Sequence, residues 1–270
     1  MSMRILFVGG GNMATALMAG LIREGVDANR LSVIERNEAS RERLLATWPV
    51  RVFDEMVAAA FETDVVVLAV KPQQLREVAG QIAPLLDGQL VLSVAAGVRC
   101  SALSGWLGGY DALVRAMPNT PATIGAGIAG LYAMPAVSAA QRLKATQIMQ
   151  AAGAAVWLEE ESALDAVTAV SGSGPAYVFY FMEAMERAAV ELGLGADIAR
   201  QLTLATFSGA SRLAMHSHDA PAVLRERVTS PGGTTESALL SMQTADVAGA
   251  VIRAIAAAHL RSRELGDALG

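Results

Sequence analysis

Between residues 64 and 70 the chain reads DVVVLAV, and nothing in that run after its first residue is suited to face water. A strand that is apolar on both faces must be covered on both faces, which happens in parallel sheets flanked by helices. Short apolar runs recur at residues 4–8, 31–35, 89–94 and 112–117. Helical patterns lie between them at 12–25, 38–47, 54–61 and 73–86. This alternation predicts an α/β unit built on a doubly wound parallel sheet.

After Leu158 the strand patterns stop. Residues 176–192, 196–215, 221–227, 235–242 and 246–265 read as helices, broken at Gly193-Leu194-Gly195 and at Ser230-Pro231-Gly232-Gly233. The expected domains are therefore 1–158, carrying the sheet, and 159–270, all helical. The helices at 196–215 and 247–260 are alanine-rich or apolar on most faces. Such helices must be buried, and a domain of this size cannot bury them all by itself. Either the first domain covers them, or partner subunits do. The second reading predicts a homodimer through the C-terminal helices, or a higher homo-oligomer.

Composition removes several function classes. Hydrophobic residues make up 53% and charged residues 17%, which excludes a disordered chain. The net charge of −5, with no basic stripe, argues against a nucleic-acid partner. No apolar stretch reaches the ~20 residues of a membrane span without interruption. The segment 5–22 is uncharged and follows Arg4, as a secretory leader would, but its apolar core Ile5-Leu6-Phe7-Val8 is short and gives way to glycines and Asn12. Cys100 is the one cysteine, so no intrachain disulfide can form, and a cytoplasmic location is expected.

Gly9, Gly10, Gly11, Asn12, Met13 and Ala14 fit G-x-G-x-x-G/A, directly after a predicted strand and opening a predicted helix. In that context the pattern is a dinucleotide-binding turn and makes the first domain Rossmann-like. Gly9 permits the tight turn, Gly11 lets the backbone approach a pyrophosphate, and Ala14 packs the helix on the strand. The helix N-terminus offers free N–H groups to phosphate. The second strand ends Glu35-Arg36-Asn37. Glu35 at this place favours the ribose of NAD, whereas Arg36 with Asn37 favours the 2′-phosphate of NADP. The expected cofactor is NADPH, with NADH as the alternative. Ligands in this fold bind beyond the carboxyl ends of the strands, so Ala69, Val70, Lys71 and Pro72 should border the cofactor, as should Ala95, Ala96 and Gly97. Lys71 reads either as a catalytic lysine or as a cofactor contact in a turn. Asn119, between two prolines, reads either as a partner of nicotinamide or substrate, or as part of a structural turn.

In the helical half, Ser171-Gly172-Ser173-Gly174-Pro175-Ala176-Tyr177 and Thr229-Ser230-Pro231-Gly232-Gly233-Thr234-Thr235 each lead into a helix. Free N–H groups at such places suit a small carboxylate; a plain helix–helix connection is the alternative. His216 and His218 have metal-pair spacing, but no third ligand accompanies them and helix termination accounts for them. No metal is expected. His259 reads as structural, and Cys100 as an inert core or helix-start residue.

With these segments in view, the chain resembles the pyrroline-5-carboxylate reductase family. The resemblance rests on GGGNMA at Gly9–Ala14, AVKP at Ala69–Pro72, AAG at Ala95–Gly97, MPNTP at Met117–Pro121, SGSGPAY at Ser171–Tyr177 and VTSPGGTT at Val228–Thr235, in order along nearly the whole chain. It implies reduction of L-1-pyrroline-5-carboxylate to L-proline by NAD(P)H, a helical domain that interlocks with a partner's, and an active site between domains. It also implies a carboxylate loop over Ser230, Gly232, Gly233, Thr234 and Thr235. In that loop the N–H groups of Gly233, Thr234 and Thr235 would hold the carboxylate, and the Thr235 hydroxyl would meet the ring nitrogen. Glu161 and Ser173 match positions near the substrate. Two positions depart from relatives: Arg227 stands where some carry asparagine near the cofactor, and Met56 replaces a polar cofactor contact.

The chemistry agrees with that resemblance. Ketone reduction needs an acid to supply the hydroxyl proton, and related hydroxyacid dehydrogenases carry a lysine soon after a similar glycine run. Here Pro175-Ala176-Tyr177-Val178-Phe179-Tyr180 holds no lysine, histidine or carboxylate. A cyclic imine protonated by water is already an electrophile and needs positioning more than acid catalysis. The alternatives are a β-hydroxyacid dehydrogenase-like oxidoreductase and a non-catalytic NADP-binding regulatory subunit.

Overall fold

The computed structural model describes residues 3–269. In chain order the sheet-bearing part runs β1 (Ile5–Val8), α1 (Asn12–Arg23), β2 (Leu31–Ile34), α2 (Glu38–Thr47), β3 (Arg51–Phe53), β4 (Val65–Leu68), α3 (Pro72–Ile82), β5 (Leu90–Ser93), α4 (Cys100–Trp106), β6 (Leu113–Met117), β7 (Gly127–Ala133), α5 (Ala139–Gln150) and β8 (Gly153–Trp157). The eight strands form one sheet in the order β3-β2-β1-β4-β5-β6-β7-β8. The six from β3 to β6 are parallel, in the order of dinucleotide-binding folds.

The apolar runs have a direct structural cause. Ile5 and Phe7 of β1 belong to one buried cluster, with Val65 and Val67 of β4 and Leu17 and Leu21 of α1. Leu6 and Val8 belong to another, with Val66, Leu68, and Leu75 and Ile82 of α3. Alternate side chains thus enter cores on opposite faces, and every position must be apolar. Full burial of one such side chain contributes about 1.5–3 kcal/mol, so β1 and β4 are the firm floor on which the turns above them stand.

The five expected strands are parallel, and the sheet extends beyond them by strands the sequence did not show. β7 runs antiparallel to β6, and β8 follows β7 in parallel. The connection from β6 to β7 is a short 3-10 turn, Thr120–Ile124, closed by Gly125 at φ +74°. A connection that short can only return the chain antiparallel. The helix expected over residues 54–61 is a 3-10 turn, Ala58–Phe61, preceded by irregular chain. The boundaries of the other predicted elements fall within a few residues of those observed.

Beyond Trp157 the described residues contain helices and no strand: α6 (Ala163–Val167), a π-helical turn over Thr168–Gly172, α7 (Gly174–Glu191), α8 (Ala196–His216), α9 (Pro221–Arg227), α10 (Thr234–Thr244) and α11 (Val247–Leu269). The change of pattern at Leu158 is not where the compact units divide. One unit comprises residues 1–173 and 258–270, and the other residues 174–257. The sheet holds the intervening stretch: Gly130 of β7 has no room for a Cβ beside Val167 and Leu164 of α6. The end of α11 joins the same unit through Ser262, whose hydroxyl donates to Asp165 at 2.7 Å. No single helix among the described residues is long and apolar enough to cross a membrane.

Candidate active site

The turn after β1 is shaped by its neighbours. Gly9 has φ +98°, and a Cβ there would sit 2.8 Å from the carbonyl oxygen of Ala69. Only glycine fits a left-handed turn pressed against the end of β4. A Cβ on Gly10 would meet Leu44 Cδ1 at 2.8 Å. Gly11 differs: a Cβ would find nothing within 4 Å. Gly11 caps α1 without any side-chain bond, and the first intrahelical bond runs from Thr15 N–H to its carbonyl. The N–H groups of Asn12, Met13 and Ala14 therefore open the helix without partners among the described residues. Ala14 is fully buried under the turn.

A cavity of about 240 Å³ opens beside this turn, lined by Gly9, Gly11, Glu35, Arg36, Val70 and Lys71 among others. It lies beyond the carboxyl ends of β1, β2 and β4, where dinucleotides bind in this fold. Open space at Gly11, free helix-end N–H groups and a cavity walled by the ends of three strands fit a dinucleotide pyrophosphate. Lys71 is exposed, caps α3 ahead of Pro72, and lines this cavity, as a cofactor contact would.

Glu35 is held by backbone groups on both of its carboxylate oxygens. Its Oε2 accepts from Gly10 N–H at 2.9 Å and its Oε1 from Asn37 N–H at 2.8 Å. The carboxylate is thus a latch between strand end and glycine turn. Asn37 caps α2 by accepting from Ser40 N–H. Arg36 faces the solvent and is paired with Glu77 and Gln81.

The other predicted residues divide between structural and open positions. Ala95 is buried, Ala96 is exposed, and Gly97 has φ +77° with Leu269 and Leu265 of α11 packed over it. The Asn119 side chain donates to Ser171 O at 3.1 Å and accepts from Ile128 N–H at 2.9 Å. The structural alternative accounts for this residue: it clamps the β6–β7 turn to the π-helical turn. Glu161 Oε1 accepts from Cys100 N–H at 2.7 Å and from Arg115 Nη1 at 2.9 Å. Arg99, Arg115, Glu161, Asp165, His259 and Arg263 surround a second cavity, of about 590 Å³. Burial, followed by the nearby Glu161 charge, pushes the Cys100 thiol far above its ordinary range, so it stays protonated and inert. Ser173 ends the π-helical turn, its N–H donating to Thr168 O.

In the other unit, Gly232 has φ +71° and Gly233 caps α10 with no side-chain bond. The Gly233 N–H was expected to face a carboxylate, but it donates to Ser230 O at 3.0 Å, closing the loop's turn. The N–H groups of Thr234 and Thr235 remain open at the first turn of α10. Glu236 Oε2 already accepts from Gly232 N–H at 2.6 Å, so this loop carries an anion on its backbone. Arg227 is turned to Asp219 in an ion pair. Among the described residues no group of three His, Cys, Asp or Glu side chains is arranged to hold a metal ion.

Two family models match. Residues 161–265 match "pyrroline-5-carboxylate reductase dimerisation", and residues 4–97 match "NADP oxidoreductase coenzyme F420-dependent". A pyrroline-5-carboxylate reductase of Pseudomonas aeruginosa is 46% identical over 268 residues, covering 99% of this chain and 98% of that one. The chain belongs to the pyrroline-5-carboxylate reductase family. A solved pyrroline-5-carboxylate reductase of Coxiella burnetii superposes with TM-score 0.93 at 40% identity, over 98% of this chain and 99% of that one. A Plasmodium falciparum pyrroline carboxylate reductase, solved with NADP bound, does so with TM-score 0.85 at 26% identity over 98% of each chain.

Against that family background, sequence reasoning missed Arg115, Glu77 and Gln81. Arg115 had a readable signal, since it is the one charge inside the apolar run of β6, and a charge there needs a partner. Glu77 and Gln81 had none, because Glu77 is exposed and Gln81 half-buried on α3, like many polar residues at a helix surface. Met56 lines the same cavity as Gly9, Gly11 and Arg36.

Proposed function

We infer that this chain reduces L-1-pyrroline-5-carboxylate to L-proline with NAD(P)H, as an oxidoreductase of proline synthesis. The observation that carries the reading is that one chain, 46% identical to a pyrroline-5-carboxylate reductase, holds both an intact dinucleotide turn and an open α10 N-terminus.

Gly11 and the first N–H groups of α1 would hold the pyrophosphate, with Ala69, Val70, Lys71 and Pro72 beside it. When bound, the reduced nicotinamide supplies the hydride. The Thr234 and Thr235 N–H groups would receive the substrate carboxylate, and the Thr235 hydroxyl oxygen would accept from the protonated ring nitrogen. Hydride adds to the imine carbon, the C=N pair becomes the nitrogen lone pair, and the charge on nitrogen is neutralised. No protein acid is required, so the residues' task is orientation.

The exposed apolar side chains of the second unit support self-association. Phe179, Tyr180, Leu202, Leu213 and Leu240 are all exposed in the single chain, and a surface of this kind marks an interface. We assign it to a homodimer through the C-terminal helices, which accords with the dimerisation model that matches there. The lone buried cysteine accords with a cytoplasmic location.

The test uses purified protein with NADPH and pyrroline-5-carboxylate, following the loss of nicotinamide absorbance. Turnover dependent on both components is expected. Turnover no faster than the protein-free control would overturn the reading.

A further inference from the structure

The adenosine end of the cofactor cavity contains a charge pair that the glycine turn does not explain. Arg36 Nη1 lies 3.4 Å from Glu77 Oε1, and Arg36 Nη2 donates to Gln81 Oε1 at 2.6 Å. Gln81 Nε2 donates back to the same Glu77 oxygen at 3.1 Å. The three side chains close a triangle between the end of β2 and the solvent face of α3. Both Arg36 and Glu77 line the cavity.

Three further facts isolate this triangle as the selective element. Glu35 is occupied by two backbone N–H groups. Arg41 Nη1 donates to the carbonyls of Glu35 and Arg36, at 3.2 and 2.7 Å, so it holds the loop's backbone. Asn37 is spent on capping α2. Among the arginines that follow β2, Arg36 is the one that lines the cavity, and Glu77, which lines it too, is the anion that would compete with a 2′-phosphate for it.

We propose that Glu77 determines how this enzyme divides its use between NADPH and NADH, by holding Arg36 and placing a negative charge where a 2′-phosphate would lie. The inference rests on the cofactor site described above. The pair is loosely held, with side-chain exposures of 59% and 66%, so Arg36 can change partner at small cost. NADH, with a neutral 2′-hydroxyl, leaves the triangle intact. NADPH must break it and accept the Glu77 charge nearby. Glu77 is a positioning residue here, acting on Arg36 and through the field it adds.

The experiment compares wild type with Glu77→Gln, which keeps an acceptor for Arg36 and removes the charge. Dissociation constants of NADPH and NADH are measured by titration without substrate, and KM and kcat for both cofactors with substrate. The NADPH affinity should rise about three- to fivefold, the range of an exposed charge pair, with NADH affinity and both kcat values unchanged. An NADPH-to-NADH affinity ratio equal to the wild type's, with both cofactors binding, overturns the role of Glu77 and leaves the cofactor site standing. A parallel shift for both cofactors also overturns it, because a structural role would act on both alike. Failure of wild type to bind either cofactor overturns the site and the inference together. Glu35→Gln serves as the contrast: loosening the glycine turn should weaken both cofactors by the same factor.

Discussion

Single residues in this chain do one of two things, and their bonded partners say which. Glu35 and Asn119 are spent on backbone partners, whereas the open N–H groups at α1 and α10 are not. Thr235 stands at the second kind of position. Thr235→Ala should lower kcat about 10–100-fold, the worth of a hydrogen bond to a charged group, with the NADPH dissociation constant unchanged; steady-state kinetics and a cofactor titration check both halves. Asp64 is the first kind. Partial burial raises its pKa, but Lys144 at 2.8 Å and the Arg4 N–H at 2.8 Å outweigh this and hold it below its ordinary value of 3.8. A carboxylate lowered in the folded state contributes stability above its unfolded pKa and loses it as pH falls through the folded one. Wild-type melting temperature should therefore fall on acidification below about pH 4, and Asp64→Asn should remove that part of the slope. Both partners are about a third or more exposed, so the effect is small.

At the scale of elements, legibility followed burial. The strands β1, β2, β4, β5 and β6 were readable because two cores force continuous apolar runs. β3 is three half-exposed residues at the sheet edge, and β8 alternates exposed and half-buried positions, so neither had such a run. β7 is GIAGLYA, whose small residues blur any pattern; its Gly130 answers to neighbours far along the chain, Val167 and Leu164. α5 did carry a local sign, the capping box of Ser138 and Gln141. Of the candidate site, the glycine turn was legible because its pattern is local, a G-x-G-x-x-A run between a strand and a helix, although the residues that press on it, Ala69 and Leu44, are distant. The burden on Arg36 was not, because Glu77 and Gln81 are brought near it only by folding, and the Gly233 N–H is spent within its own turn, which the residue types there do not show. Gly20 is a test of such distant constraint. A Cβ there would lie 2.1 Å from the Ala151 carbonyl oxygen, which also accepts from Arg23. Gly20→Ala should prise α1 from the end of α5 and destabilise the protein by about 1–3 kcal/mol or more, measured by urea unfolding.

Across the whole molecule, one chain leaves much of its second unit's apolar surface uncovered. Phe179 is 62% and Tyr180 71% exposed on α7, beside Val178 and Phe181. Sedimentation should therefore find an assembly of two or more chains at micromolar concentration. Phe179→Asp should shift it toward smaller species and lower its melting temperature, through lost burial of an aromatic side chain. An unchanged sedimentation profile would move the interface to another face.

The division into units also bears on how the protein is made. The second unit is an insertion in the first, since residues 258–270 return to the unit that residues 1–173 begin. During synthesis the sheet can form early, but Gly97 waits for Leu265 and Leu269, and Asp165 waits for Ser262. A nascent chain still short of Ala258 has most of its cofactor cavity and lacks the packing over the loop after β5. Closure of the first unit therefore depends on residues that follow the whole second unit, and a chain cut before Ala258 would keep the β1 turn and leave the Ala95–Gly97 loop uncovered.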